Sequence, residues 1–264
     1  MAIIDIHAHI YPDAIAQKAA ISIGEFYDIP MRHDGALETL LTVNREAGIT
    51  RSVVHSVAVA WEKVERINDF IALSVKKHPE QLIGFATMHP QHPHIQKELE
   101  RAVALGLRGV KLHPDFQHFP IDDEAAFPIY EAMESRLPLL IHTGDTRYDY
   151  SQPWRMARVL DRFPRLQVIC AHLGGWSQWS TAHEILAGRP NVWVDTSSSL
   201  YAISPEVARE AILHYGIDRV MFGTDYPMWN PTEETARFKA LGFSSEDMEK
   251  VLYQNAEKLL HETA

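Results

Sequence analysis

Eight apolar runs, the first of them rich in β-branched residues, alternate with eight helical stretches along 264 residues. This alternation predicts an α/β chain, a (β/α)8 TIM barrel folded as one domain over 1–264. The length agrees, since such a barrel takes roughly 250 residues. The third observation is where the chemistry-bearing residues fall. They cluster at the C-terminal ends of the apolar runs, which in a barrel form one rim, the place where active sites sit.

The elements follow in order. Strands are expected near 3–9, 52–59, 82–88, 107–113, 138–142, 166–172, 191–196 and 219–225. Helices are expected near 36–48, 63–78, 93–105, 123–135, 153–163, 177–187, 205–214 and 232–240, with an extra C-terminal helix near 245–262. Several strand runs are almost continuously apolar, as parallel strands covered by helices are. Ala47-Gly48, His78-Pro79, Leu105-Gly106, Leu137-Pro138, Phe163-Pro164, Arg189-Pro190 and Tyr215-Gly216 punctuate the units. Segment 10–34 reads as irregular. It follows the first strand, so it is expected over the barrel mouth as a lid. No linker or low-complexity tract divides the chain.

Composition narrows the function classes. A net charge of −10 argues against a general nucleic-acid or anionic-membrane surface. No stretch approaches the roughly 18 apolar residues of a membrane span. Cys170 is the only cysteine, so an intramolecular disulfide is impossible, and its place within a strand run suggests a small core side chain. The start shows no charged leader followed by an apolar segment, so a cytoplasmic chain is expected.

The first run, Ile3 to His9, ends in His7-Ala8-His9. Side chains two apart on a strand share a face, so His7 and His9 can address one point. Later runs end in similar fashion: Lys111 and His113 in the fourth, His142 in the fifth, His172 in the sixth, Asp225 in the eighth. An isolated strand-end histidine is ordinarily a hydrogen-bonded structural residue. Several in register point to one assembled site. His7, His9, His142 and Asp225 would give a divalent metal, zinc in the first instance, three neutral nitrogens and one carboxylate. Such a metal makes a nucleophile of bound water and polarises a carbonyl. His172 is placed to serve as base and then acid, and Asp225 can share the proton traffic. Asp195, near the end of the seventh run, reads either as a hydrogen-bonding support for the site or as a turn residue. His89, His92 and His94 lie among prolines and read as a loop leading into a helix.

Taken together, Asp5-Ile6-His7-Ala8-His9, Gly109-Val110-Lys111-Leu112-His113-Pro114, Ile141-His142-Thr143-Gly144, Ala171-His172-Leu173-Gly174-Gly175 and Phe222-Gly223-Thr224-Asp225-Tyr226-Pro227 resemble the amidohydrolase superfamily. They look most like its amidohydrolase-2 branch, which includes aminocarboxymuconate-semialdehyde decarboxylase and related hydrolases. The resemblance runs from residue 3 to about residue 260. It implies a metal-dependent barrel with His7, His9, His142 and Asp225 at ligand positions, and His172 where water or substrate is activated. Lys111 stays open between a carbamylated bridge to a second metal, a charge that holds a substrate carboxylate, and a structural ion pair. His113 shares its face. The single-metal form is favoured.

Trp176, Tyr226 and other aromatics fall in the expected rim loops, which suits a ring or another flat apolar group. Arg32, Arg147 and Lys111 are candidates for a carboxylate. The expected substrate is therefore a small organic acid, and the expected reaction is hydrolysis of an amide, lactone or ester by metal-activated water. The alternative is a metal-dependent non-oxidative decarboxylation of an aromatic or unsaturated acid, which would use the same ligands. The third reading, a barrel that binds metal without catalysis, leaves the spare base His172 unexplained. A homo-oligomer is compatible with the family.

Overall fold

The computed structural model describes residues 2–262. Among them the strands are β1 (Ile4–His9), β2 (Arg51–His55), β3 (Leu82–Gly84), β4 (Ala86–Thr87), β5 (Val110–Leu112), β6 (Leu139–Ile141), β7 (Val168–Cys170), β8 (Val192–Asp195) and β9 (Val220–Met221). All pairings are parallel, in the orders β1-β2-β3 and β4 through β9. Backbone bonds join the two sheets into one barrel. Phe85 donates to Val54 at 3.0 Å and Ala86 donates to Gly109 at 2.8 Å, so the ladder changes neighbour between β3 and β4 without a gap. On the other side Ile6 donates to Phe222 at 2.9 Å, Asp225 to His7 at 2.8 Å and His9 to Tyr226 at 2.7 Å. β3 and β4 are thus one interrupted barrel strand, and the expected (β/α)8 barrel is what the chain forms.

The period-two alternation of a strand separates two cores. Ile6, Val53, Leu140, Ile169, Trp193 and Met221 fill the barrel interior. Leu139, Ile141, Val168, Cys170 and Val194 face outward into the layer under the helices. Fully burying one such aliphatic side chain stabilises the fold by about 1.5–3 kcal/mol. The last helix, Asn255–Glu262, packs Ala256, Leu259 and Leu260 into the interior cluster. It lies at the N-terminal ends of the strands: Glu257 pairs with Arg51 at 2.8 Å, and Asn255 donates to Val220 O at 2.7 Å. The last helix thus covers the bottom of the barrel, opposite the rim where the polar residues gather.

Three expectations change. Segment 10–34 contains a helix, α1 (Ala16–Tyr27), that buries Ala16, Ala20 and Gly24 and ends at Asp28 in the left-handed region. Its pattern is obscure in sequence because Ile15 offers no capping side chain and Ile21 is exposed. The helix expected over 177–187 shrinks to Ala182–Leu186, since the residues before it form turns after Gly174-Gly175. The helix expected over 245–262 is broken by a wide π turn at Lys250–Gln254. His94 precedes the helix Ile95–Ala104, in line with the loop reading of His89 to His94. Among the described residues no helix is long and apolar enough to cross a membrane.

Candidate active site

The strand ladders stop just below the rim, and the chain bends out carrying its polar residues. His113 and His142 lie one residue beyond β5 and β6, and His172 two beyond β7. In β1 the register shifts between Asp5 and Ala8. Such a bulge re-aims a side chain, and here Ile6 packs in the barrel interior while His7 lines the mouth. Asp5 pins the bulge to the Asp225 loop, accepting from His7 N–H at 3.0 Å, Thr224 N–H at 2.9 Å and the Thr224 hydroxyl at 2.6 Å. Burial pushes the Asp5 carboxyl up to about 7, against these bonds.

His7 is aimed by Asp195. Its Nδ1 donates to Asp195 Oδ2 at 2.8 Å, so its Nε2 is the lone-pair nitrogen. That Nε2 lies 3.3 Å from His9 Nε2 and 3.4 Å from Asp225 Oδ1, and His9 Nε2 is 3.5 Å from the same oxygen. Three donor atoms thus form a nearly equilateral triangle. Ligands about 2.1 Å from a tetrahedral metal stand about 3.4 Å apart, so the donor set and its spacing suit a divalent metal. Burial, reinforced by the Lys111 charge, holds His7 and His9 well below the usual imidazole range, which leaves them neutral, the ligating form. Burial lifts Asp225 to about 6. His55 adds a third buried imidazole, edge-on to His9, and neither of its nitrogens has a hydrogen-bond partner.

Lys111 is fully buried and donates to His7 Nε2 at 3.0 Å. Burial brings its ammonium down to about 8. His142 does not join the triangle. Its Nδ1 pairs with His172 Nε2 at 2.9 Å, and its Nε2 turns the other way, 3.6 Å from Asp115 Oδ2. His172 Nδ1 faces the Ser197 carbonyl at 3.1 Å and its hydroxyl at 2.9 Å. Burial lowers His172 to about 4.

His172, Ser198 and Asp225 hold φ of 62°, 43° and 59°. Such backbone costs on the order of 1–3 kcal/mol per residue unless its surroundings over-determine it. They do so here. Asp195 Oδ1 accepts from His172 N–H and Ser197 N–H, each at 3.0 Å, and from the Ser197 hydroxyl. Ser198 Oγ donates to Asp225 Oδ2 at 2.5 Å and accepts from Trp229 Nε1 at 2.8 Å.

The remaining expected site residues divide. Trp176 lines the cavity with Ile23, Tyr27, Met31, Phe116 and Met228. Arg32 does not reach it; it is half exposed and pairs with Glu233 at 2.5 Å. Arg147 braces the cavity wall from behind: it chelates Asp145, donates to Phe26 O at 2.7 Å and lies over the Tyr27 and Trp176 rings. Tyr226 is fully buried, with its hydroxyl on Ala36 O at 2.8 Å. These three are corrected from substrate contacts to structural residues, because each has its polar group engaged elsewhere. His113 is likewise occupied. Its Nδ1 accepts from Phe116 N–H at 3.4 Å, its Nε2 meets the Tyr27 hydroxyl at 2.8 Å, and its ring is stacked between Phe116 and His142. Sequence reasoning passed over Tyr27, Ser197, Ser198, Asp115 and Asp145. Ordinary turn and helix residues carry no periodic signal of their own.

A family model described as amidohydrolase matches residues 4–261. The gamma-resorcylate decarboxylase of Polaromonas sp. (strain JS666) is 24% identical over 290 residues, covering 88% of this chain and 85% of that protein. The 5-carboxyvanillate decarboxylase of Sphingomonas paucimobilis shares the fold with a TM-score of 0.79 at 20% identity, over 98% of this chain and 99% of that one. The dihydroxybenzoic acid decarboxylase of Polaromonas sp. JS666, solved with bound manganese and the inhibitor 2-nitroresorcinol, gives 0.75 at 20% identity, over 98% and 97%. With its motifs in order on one rim and the family match running over residues 4–261, the chain belongs to the amidohydrolase family.

Proposed function

We propose that the protein is a metal-dependent, non-oxidative decarboxylase of a hydroxylated aromatic carboxylic acid. The observation that carries this reading is the two-sided pocket. One side is the imidazole–carboxylate cluster; the other is an apolar wall of Ile23, Tyr27, Met31, Phe116, Trp176 and Met228. Charge is gathered on one side, and on the other an apolar and aromatic surface of the kind that packs against a flat ring. The relatives named above are decarboxylases. They move the reading from hydrolysis, the first expectation, to the alternative.

Loss of carbon dioxide from a ring exchanges a C–C bond for a C–H bond. The ring carbon gains a proton, the carboxyl group leaves as CO2, and no water is consumed. His7, His9 and Asp225 are the residues that would hold a divalent cation, zinc or manganese by donor type. When bound it supplies a Lewis-acid anchor for the substrate's anionic oxygens. The chain's own side chains do the rest. Tyr27, Phe116 and Trp176 hold the ring and keep water from it. Lys111 adds positive charge at the cluster. His172 and Asp225 border the same cavity and are assigned the proton transfer. Ser197 fixes His172 by its Nδ1, so Nε2, which lies 2.9 Å from His142 Nδ1, is the nitrogen that would exchange a proton with the substrate.

The test is product analysis of the metal-loaded protein with 2,6-dihydroxybenzoate and 5-carboxyvanillate as first substrates. In heavy water, CO2 release with one deuterium on the ring carbon that lost it is expected. Solvent oxygen incorporated into the product, without CO2, would overturn decarboxylation and restore hydrolysis. His172→Asn should lower turnover by about 10²-fold or more with the His7–His9–Asp225 metal retained.

A further inference from the structure

Asp225 meets the histidine pair with one oxygen only. Oδ1 lies 3.4 Å from His7 Nε2 and 3.5 Å from His9 Nε2, while Oδ2 accepts the Ser198 hydroxyl at 2.5 Å. Ser198 in turn accepts from Trp229 Nε1 at 2.8 Å. Ser198 and Asp225 line the cavity, and Trp229 does not. The Trp229 ring is stacked on Tyr201 with centroids 4.2 Å apart, and the Arg237 guanidinium lies 5.9 Å from its centre.

The direction of these bonds is fixed at the indole. An indole N–H can only donate, so the Ser198 oxygen accepts there and its single hydrogen goes elsewhere. Two acceptors stand within reach, Asp225 Oδ2 at 2.5 Å and Met228 Sδ at 3.5 Å. A carboxylate is the stronger acceptor, so the hydrogen lies on Asp225. The chain of bonds therefore runs one way, from Trp229 through Ser198 to Asp225. Donation into the serine oxygen polarises its O–H and strengthens the second bond. The serine itself is held in place. It is buried with φ of 43°, and Ser199 beside it accepts from Trp179 Nε1 at 3.0 Å and donates to Ser197 O at 3.0 Å.

We infer that Trp229 is a positioning residue for the metal site: through Ser198 it occupies Asp225 Oδ2 and presents Oδ1 alone to a divalent cation held with His7 and His9. A carboxylate free at both oxygens can close on a cation with both. A one-oxygen grip spares a coordination position, which a catalytic site must keep open for water or substrate. Loss of the indole donor frees the Ser198 hydroxyl to turn from Asp225, and with it the carboxylate loses its fixed orientation. The inference rests on the His7, His9 and Asp225 site and not on the reaction proposed above.

The test is a double-substitution cycle on the full chain, read as zinc affinity by competition with a chelator. Ser198→Ala keeps the Cβ and removes the relay, and Trp229→Phe keeps an aromatic ring against Tyr201 without the N–H. Ser198→Ala should weaken zinc binding by about 10–100-fold, as loss of a partner behind a ligand does. Trp229→Phe should weaken it by about 2–10-fold, the contribution of one neutral hydrogen bond. In the Ser198→Ala background Trp229→Phe should cost nothing more, because the relay is already cut. A tryptophan that only packs the rim would lower the melting temperature of the metal-free protein without this coupling. Wild-type affinity in Trp229→Phe, or an equal loss with and without the Ser198 hydroxyl, overturns the inference. Wild-type affinity in Ser198→Ala overturns it as well, even if circular dichroism shows Trp229→Phe unfolded. A wild type that takes up no zinc removes the metal site and the inference with it.

Discussion

Asp195→Asn is the substitution that tests how the barrel aims His7. Asp195 is wholly buried, and each of its oxygens has a separate task. Oδ2 accepts from His7 Nδ1 at 2.8 Å, while Oδ1 accepts from two backbone N–H groups at 3.0 Å and from the Ser197 hydroxyl. Asparagine keeps the shape but has one acceptor. Its oxygen is best placed on the three donors, which turns its NH2 toward His7 Nδ1. The imidazole then carries its hydrogen on Nε2, the atom that points at His9 and Asp225. A hydrogen bond to a charged group contributes about 1.5–3 kcal/mol. Loss of a carboxylate behind a ligating histidine costs about 10–100-fold in metal affinity, which is about 1.4–2.8 kcal/mol. The two routes agree, so affinity at the His7 site should fall by about 10–100-fold. The assay is zinc titration against a competing chelator, with a thermal melt of the metal-free protein beside it. A folded variant with wild-type affinity refutes the idea that Asp195 sets the His7 tautomer.

Three further outcomes are expected. Gly144 has φ +91°, and a Cβ there would stand 2.3 Å from Gly175 Cα, so Gly144→Ala should force the His142 and His172 loops apart and cost about 2–5 kcal/mol; an unchanged urea midpoint would show that the two loops can separate freely. Burial lifts the Glu234 carboxyl to about 7, although Arg237 acts against it. Its folded pKa is raised, so its contribution is full below about pH 4.5 and is lost as pH rises through 7, up to about 3 kcal/mol. Glu234→Gln should flatten the fall in unfolding free energy between pH 5 and 8, and an equal fall in both proteins would clear Glu234 of that role. Finally, the cavity over the site holds about 20 Å³, little more than one water, with α1 above it. The ring of the substrate proposed above would enter only if α1 lifted, and the Tyr27–His113 bond would then act as its latch. Tyr27→Phe leaves His113 Nε2–H unpaired at a cost of about 1–3 kcal/mol and should speed amide hydrogen exchange along Ala16–Tyr27. Unchanged exchange there would mean that the hydroxyl is no latch.

The sequence by itself determined the barrel and the rim. Alternating periods of 2.0 and 3.6 are local properties, set by how Cβ atoms leave a strand or a helix. They placed His7, His9, Lys111, His142, His172 and Asp225 at one end before any contact was known. Tertiary structure decided what each of those groups does there. The bulge at Asp5–Ala8 turns His7 inward where simple alternation would have set it opposite Ile6. The partner of His7 lies 188 residues away in Asp195, and His142 is divided between His172 and Asp115. Arg147 looks like a carboxylate clamp in sequence, yet Asp145 two residues earlier already occupies it. Helix α1 has too weak an amphipathic signal to read, because its exposed Ile15 and Ile21 blur the polar face. The orientation of an imidazole depends on which acceptor or donor another loop brings to its second nitrogen. That choice is made by packing across the barrel, and no local pattern in the chain records it.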